Sequence, residues 1–220
     1  MKQKGAYIVF IDLDKTLLIT NSGKVLAWAA YKQGLLSTPN LIKAISLSVI
    51  YKMQLLGTVK ITELMVKWLK GISEKKVEAF GNLLVNQTLV NMMRPSMLKE
   101  IEKHKKQAAH IVLLSAALPY ICQPLSEYLK LNDVICSAME IKEGNFTGRP
   151  LGKMCIEEEK EVRARQYCWD HSYQLSEAYY YGDSYSDRFI LKEVGNPVCV
   201  APDKRLHKLS VMKKWTLMES

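Results

Sequence analysis

The chain has 220 residues, 48% hydrophobic and 24% charged, which suits a soluble globular protein with a well-buried core, either as one domain or as a core with a smaller insert. Thirty-one Lys and Arg against 22 Asp and Glu give a formal charge of +9. That surplus favours anionic partners without choosing among phosphates, nucleic acid and acidic membrane surfaces. The five cysteines show no CxxC spacing, which argues against a disulfide framework and a structural zinc site and fits a reducing, cytoplasmic setting.

Residues 6–11 form the first predicted strand, buried on both faces because the apolar run does not alternate. From 25 to 91 the pattern is helical, with apolar spacing near 3.6 residues in four stretches. Gly34, Gly57 and Gly71 are expected to stop the first three, and Ser73 is a cap for the fourth. The most apolar part, residues 41–57, is interrupted by Lys43 and Lys52 and is too short and charged to span a bilayer. No signal-peptide layout precedes the first strand.

After Arg94-Pro95 the alternation of strands and helices begins, with Pro95 suited to a helix's first turn. "AHIVLLSAA" is the next strand and "PYICQPLSEYLKL" a helix. "DVICSAMEIKEGNFTGRP" is a short strand followed by a hairpin turning at Glu143-Gly144-Asn145. A helix, the strand "AYYYGDS", another helix and the strand "NPVCVA" complete the pattern. The expected fold is a doubly wound, parallel α/β sheet. Residues 1–18 and 94–220 make its core, and a helical cap, 19–93, is inserted after the first strand.

Ligands of an open α/β sheet collect beyond the carboxyl ends of its strands. Three strands end there in polar residues: Asp12-Leu13-Asp14-Lys15-Thr16, Ser115, and Gly182-Asp183-Ser184-Tyr185-Ser186-Asp187. Asp12, Asp14, Asp183 and Asp187 on one rim would repel one another unless a hard divalent cation, best Mg²⁺, sits among them. Mg²⁺ shares phosphate oxygens readily, so the expected substrate is a phosphate ester. Asp12 is the expected nucleophile, forming an aspartyl-phosphate, and Asp14 the acid/base two residues on. Lys160 and Ser115 would hold charge on the transferred group, and Thr16 would help seat the phosphate. By average residue usage, DxDxT and GDxxxD occur together in about 1 in 1,000 chains of this length.

With these motifs the chain resembles the haloacid dehalogenase superfamily, in its phosphoserine-phosphatase-like branch with a helical cap. "DLDKT" is similar to that family's first motif, "LLSAA" to the second at Ser115, and "YGDSYSD" to the fourth. The resemblance implies Mg²⁺ ligation by Asp12, Asp183 and the backbone carbonyl of Asp14, with Asp187 in support. For the motif lysine, Lys160 fits better than Lys153, since "CIEEEK" resembles the branch's pattern.

Two departures bear on the substrate. Where phosphoserine phosphatases carry a Glu for the substrate amine, this chain has Asn21. The cap stretch that carries their carboxylate-binding Arg has none here, and Met65 is expected near the site. The substrate is therefore read as a small or lipid-like phosphate ester, with phosphoserine a poor fit. The apolar, lysine-bearing lid has two readings: a helical hairpin packed on itself, or a lid for an apolar phosphomonoester with peripheral membrane contact. Two other classes compete: a phosphoryl-accepting receiver-like switch, which lacks the acid/base and the helical insert, and a non-catalytic basic protein. No arginine- or aromatic-rich stripe points to nucleic acid. His104, His110, His171 and His207 lack ligand spacing, and the tryptophans are expected to pack, with lining of the substrate pocket the alternative for Trp28 and Trp68 of the cap.

Overall fold

The computed structural model describes residues 6–52 and 57–219. β1 (Ile8–Ile11) is followed by helices α1 (Ser22–Lys32), α2 (Thr38–Lys52), α3 (Thr58–Met65) and α4 (Glu74–Gln87). Then come α5 (Pro95–Lys106), β2 (His110–Ser115), α6 (Pro119–Tyr128), β3 (Asp133–Cys136) and the hairpin β4 (Met139–Lys142) and β5 (Asn145–Pro150). The chain continues through α7 (Glu158–Asp170), β6 (Tyr179–Gly182), α8 (Arg188–Glu193), β7 (Asn196–Val200), α9 (Lys204–Lys213) and β8 (Thr216–Met218).

Six strands form one sheet in the order β3-β2-β1-β6-β7-β8, every neighbouring pair parallel, which is the doubly wound α/β arrangement expected. β1 lies at the centre of the strands that carry the polar rim. Its side chains alternate across the pleat. Val9 and Ile11 pack with Ile111, Leu113, Met97 and Ile101 on one face, and Ile8 and Phe10 with Val112, Leu114, Ala164 and Ile190 on the other. Full burial on both faces explains why this strand reads as a continuous apolar run. The edge strand β8 was not expected: it is three residues long and mostly exposed, so no apolar signal marks it.

The helical segment leaves and rejoins the sheet at one point. Leu18 and Met93 form an antiparallel bridge, Ile19 N–H donates to Met92 O at 2.9 Å, and Arg94 N–H donates to Leu17 O at 2.8 Å. α4 then lies against α6 so closely that a Cβ on Gly81 would strike the Tyr120 carbonyl. A second tie comes from the β4–β5 hairpin. Phe146 N–H donates to Ile72 O at 2.9 Å, and Glu74 N–H donates to Gly144 O at 2.9 Å.

Gly34 and Gly71 take the left-handed conformation at φ 71° and 80°, as helix stops do. Gly57 instead stands before α3 at φ −60°, and the expected end of the second helix falls partly outside the described residues. The third predicted helix breaks at Val66 and resumes as a short 3₁₀ turn, Lys67–Leu69. Ser73 occupies the N-cap position of α4, but its side chain accepts no capping hydrogen bond. Of the tryptophans expected to pack, Trp28 and Trp169 are exposed. Among the described residues no helix is long and apolar enough to cross a membrane. All five cysteines are free thiols.

Candidate active site

Strand alternation carries Asp12 to the same face as Ile8 and Phe10, two and four residues before it, and that face is covered by α7. Lys160, on the first turn of α7, therefore meets it: Lys160 Nζ lies 2.7 Å from Asp12 Oδ1. Nζ also donates to Asp187 Oδ1 at 2.8 Å and to the Tyr180 hydroxyl at 3.0 Å. The Tyr180 hydroxyl donates in turn to Asp187 Oδ1 at 2.8 Å. Lys160, Asp12 and Asp187 are all buried, so the ion pairs face no competing solvent. Lys153, the alternative lysine, has a side chain 86% exposed and sits 4.0 Å from Glu159.

The turn after β6 brings the fourth motif back onto the sheet. Ser184 and Asp187 form a reciprocal capping box, in which the Asp187 carboxylate accepts from Ser184 N–H. Gly182 is needed for that return: a Cβ there would come within 2.8 Å of Asp187 Oδ2 and 2.6 Å of Tyr180 Cε1. Asp183 is buried, and among the described residues no hydrogen bond reaches its carboxylate. Its main-chain carbonyl accepts from Asp203 N–H at 2.8 Å, while Asp203 Oδ2 accepts from Tyr185 N–H at 2.8 Å.

One carboxylate oxygen each from Asp12, Asp183 and Asp187 lie within 4.8 Å of one another, all buried. A single lysine cannot neutralise three such acids. Burial, partly offset by Lys160, and the charge of Asp187 push the Asp12 carboxyl up to about 7. Burial and the charges of Asp12 and Asp187 push Asp183 up to about 8. Burial works against the charge on Lys160, yet Asp12 and Asp187 hold its pKa well above the ordinary lysine value. An all-oxygen set with surplus negative charge suits a hard cation such as Mg²⁺. Asp187 is already engaged by Lys160, Tyr180 and Ser184, which leaves Asp12 and Asp183 as the freer donors.

Asp14 points to the start of α1. Its Oδ1 accepts from Ser22 N–H at 2.6 Å and its Oδ2 from Asn21 Nδ2 at 2.9 Å. Asn21 Oδ1 meanwhile caps α1 by accepting from Lys24 N–H at 3.0 Å. Burial raises the Asp14 carboxyl, and the bonds from Ser22 pull it back. The intervening turn is tight: Lys15 has φ 59°, and Leu18 N–H reaches back to Leu13 O at 2.9 Å. Arg94 fixes it from the far end of the helical segment, donating to Lys15 O at 2.7 Å and Thr16 O at 3.1 Å. Thr16 Oγ1 is buried without a hydrogen-bond partner, a polar atom free for a ligand.

Ser115 ends β2 on the same rim, paired with Cys136 of β3, and its Oγ accepts from Ala117 N–H at 3.1 Å. No described hydrogen bond joins it to the acids. Met65 lines a cavity of about 210 Å³ with Asn40, Lys43, Leu47, Lys67 and Trp68, between α2 and the turn after α3; none of the rim acids lines it. Sequence reasoning missed Tyr180, Arg94 and Asp203 as site residues. Tyr180 was accessible by strand parity, since it shares the face of Asp12. Nothing local marks Arg94 or Asp203.

A sequence profile of haloacid dehalogenase-like hydrolases matches residues 9–192. The chain belongs to that family. Among relatives of this haloacid dehalogenase-like hydrolase, a probable phosphatase of Mycobacterium tuberculosis (strain ATCC 25618 / H37Rv) is 26% identical over 221 residues, covering 95% of this chain and 74% of the relative. A histidinol-phosphatase of Neisseria meningitidis serogroup C (strain 8013) is 23% identical over 220 residues, covering 96% of this chain and 97% of the other. In structure, a protein from Bordetella pertussis Tohama I superposes with a TM-score of 0.88 at 21% identity, over 98% of this chain and 99% of that one. A substrate-bound phosphoserine phosphatase superposes with a TM-score of 0.72 at 16% identity, over 100% and 95%. At those identities the two structures establish the fold shared with this hydrolase.

Proposed function

We propose that this hydrolase cleaves phosphomonoesters in a Mg²⁺-dependent reaction through an aspartyl-phosphate on Asp12. The observation that carries the reading is the buried convergence of Asp12, Asp183 and Asp187 at the carboxyl rim of the sheet, with Lys160 paired to Asp12 and Asp187. Phosphatase names among the sequence relatives support the reaction class. Residues 1–18 and 94–220 act as the catalytic core and 19–93 as a cap over its rim.

Asp12 attacks phosphorus, and the ester P–O bond breaks as the Asp12–phosphorus bond forms. Asp14, its carboxyl raised by burial, gives its proton to the departing alcohol oxygen. It then takes a proton from the water that attacks the phosphoryl group, releasing inorganic phosphate and restoring the Asp12 carboxylate. Lys160 holds Asp12 in place and offsets charge on the transferred group; Ser115 and Thr16 receive its oxygens. Asp12, Asp183 and the Asp14 main-chain carbonyl would hold Mg²⁺, and Asp187 would support them. When bound, Mg²⁺ neutralises phosphoryl oxygens as a Lewis acid.

The substrate class is a small or lipid-like phosphate ester. Asn21 is already spent between Asp14 and the α1 cap, which argues against an amine clamp for phosphoserine at that position. A screen of phosphoserine, sugar phosphates, nucleotides and lipid phosphates with and without Mg²⁺ tests the reading. Phosphate release that needs Mg²⁺ and vanishes in Asp12→Asn supports it; release that survives the substitution refutes it.

A further inference from the structure

From Lys15 to Thr62 the chain contains no acidic residue, while Lys15, Lys24, Lys32, Lys43, Lys52 and Lys60 fall within it. The first arginine is Arg94. Six charges of the whole-chain surplus of +9 thus fall in one stretch, which builds α1, α2 and the start of α3. Lys24, Lys32, Lys43 and Lys60 are exposed.

The same helices expose large apolar side chains. Along α2, Leu41 and Leu47 turn inward and are buried, whereas Ile42 and Ile45 are 59% and 54% exposed. Three residues apart, those isoleucines share one outward face. On α1, Trp28 is 53% exposed, with Lys32 Nζ 5.8 Å from the centre of its ring. Over residues 41–47, α2 is therefore apolar on the outside as well as the inside, with the exposed Lys43 beside the isoleucines. That combination is what an interfacial helix needs: apolar side chains that enter the acyl boundary and cations that meet anionic headgroups.

We infer that the outward face of α1 and α2, centred on Trp28, Ile42 and Ile45 and edged by Lys24, Lys32 and Lys43, is a docking surface for an anionic lipid bilayer. Two other occupants fit less well. A second copy of this chain would set an acid-free lysine face against itself, and like charges repel. Nucleic acid would engage the lysines but leave the isoleucines unpartnered, and the face carries none of the arginines that lead phosphate recognition. The surface is independent of the catalytic assignment.

The test is co-sedimentation of the full chain with vesicles of equal parts phosphatidylcholine and phosphatidylglycerol, against phosphatidylcholine alone, at about 0.1 M salt, where charges act over about 10 Å. The protein is expected to sediment with the anionic vesicles only. Ile42→Glu/Ile45→Glu should weaken that binding by about tenfold or more. Its thermal unfolding and turnover of a soluble phosphate ester should stay unchanged. Absence of anionic-vesicle binding overturns the proposal, as does equal binding to neutral vesicles or binding unaffected by the double substitution. Oligonucleotide retention, or a dimer that the double substitution dissociates, overturns it too when no vesicles are bound. Ester turnover reports separately on the active site.

Discussion

Lys160 Nζ lies 2.7 Å from Asp12 Oδ1, although 148 residues separate them in the chain. The same ammonium reaches Asp187 at 2.8 Å, so one cation holds together two carboxylates from different strand ends in a buried site. Replacing it exposes what it compensates. Lys160→Met should destabilise the fold by about 3–5 kcal/mol, the usual effect of breaking a buried pair, and abolish turnover. Denaturant unfolding together with phosphate release checks this. Stability within about 0.5 kcal/mol of the parent would show that the pair carries no such weight.

The acids should make stability depend on pH and metal together. Asp12 at about 7 and Asp183 at about 8 both stand above their ordinary value of 3.8. A raised carboxyl binds its proton more tightly folded than unfolded. Its contribution is therefore complete below about pH 4 and is lost as pH climbs through the folded value. Metal-free protein should thus lose thermal stability from pH 6 to pH 9. A cation needs both groups ionised, so the upward shift in Tm given by Mg²⁺ should grow over that range. Melting curves at pH 6, 7.5 and 9, with Mg²⁺ or with chelator, test this; a Mg²⁺ shift that shrinks with pH would contradict it.

Gly182→Ala probes the return of the fourth motif. The added Cβ would sit 2.8 Å from Asp187 Oδ2 and 2.6 Å from Tyr180 Cε1, so Asp187 must move and with it the anchor of Lys160. The expected result is about 1–3 kcal/mol of destabilisation, as overpacking gives, with weaker Mg²⁺ binding by calorimetry. Unchanged metal affinity would mean that Asp187 is not part of the supporting network.

Asn21→Asp separates capping from positioning. Aspartate caps a helix as well as asparagine, so the cap of α1 itself should be kept. It cannot donate to Asp14 Oδ2, however, and places a second carboxylate where Nδ2 now lies, 2.9 Å away. That charge raises the Asp14 carboxyl further, so the alkaline limb of the rate profile should move upward as kcat falls. Asn21→Ala should instead cost about 1 kcal/mol of stability through the lost cap. A pH–rate profile for each variant checks the distinction; superimposable profiles would refute it.

The fold was legible in the sequence wherever burial dictates residue type. β1, β2, β6 and β7 each show an apolar run because helices cover both sides, and Asp12, Ser115 and Asp183 stand directly after such runs. The acid and lysine partners were also legible, since strand ends and one helix converge by topology. Contacts made by backbone groups were hidden. Arg94 read as a boundary before Pro95, yet its guanidinium holds two carbonyls of the turn at Lys15 and Thr16. Nothing local marked Asp203, whose links to Asp183 and Tyr185 depend on how β7 lies beside β6. Tyr180 was one residue of "AYYYGDS" until parity with Asp12 singled it out. β8 gave no signal because an exposed edge strand buries little.

The most direct test is to quench the enzyme in acid during turnover of a phosphate ester with Mg²⁺ and map the phosphorylated peptide by mass spectrometry. One phosphoryl group should be found on the segment Tyr7–Leu18, at Asp12, sensitive to hydroxylamine as an acyl phosphate is, and absent from Asp12→Asn. Steady turnover with the label on another residue, or full activity in Asp12→Asn, would contradict the account.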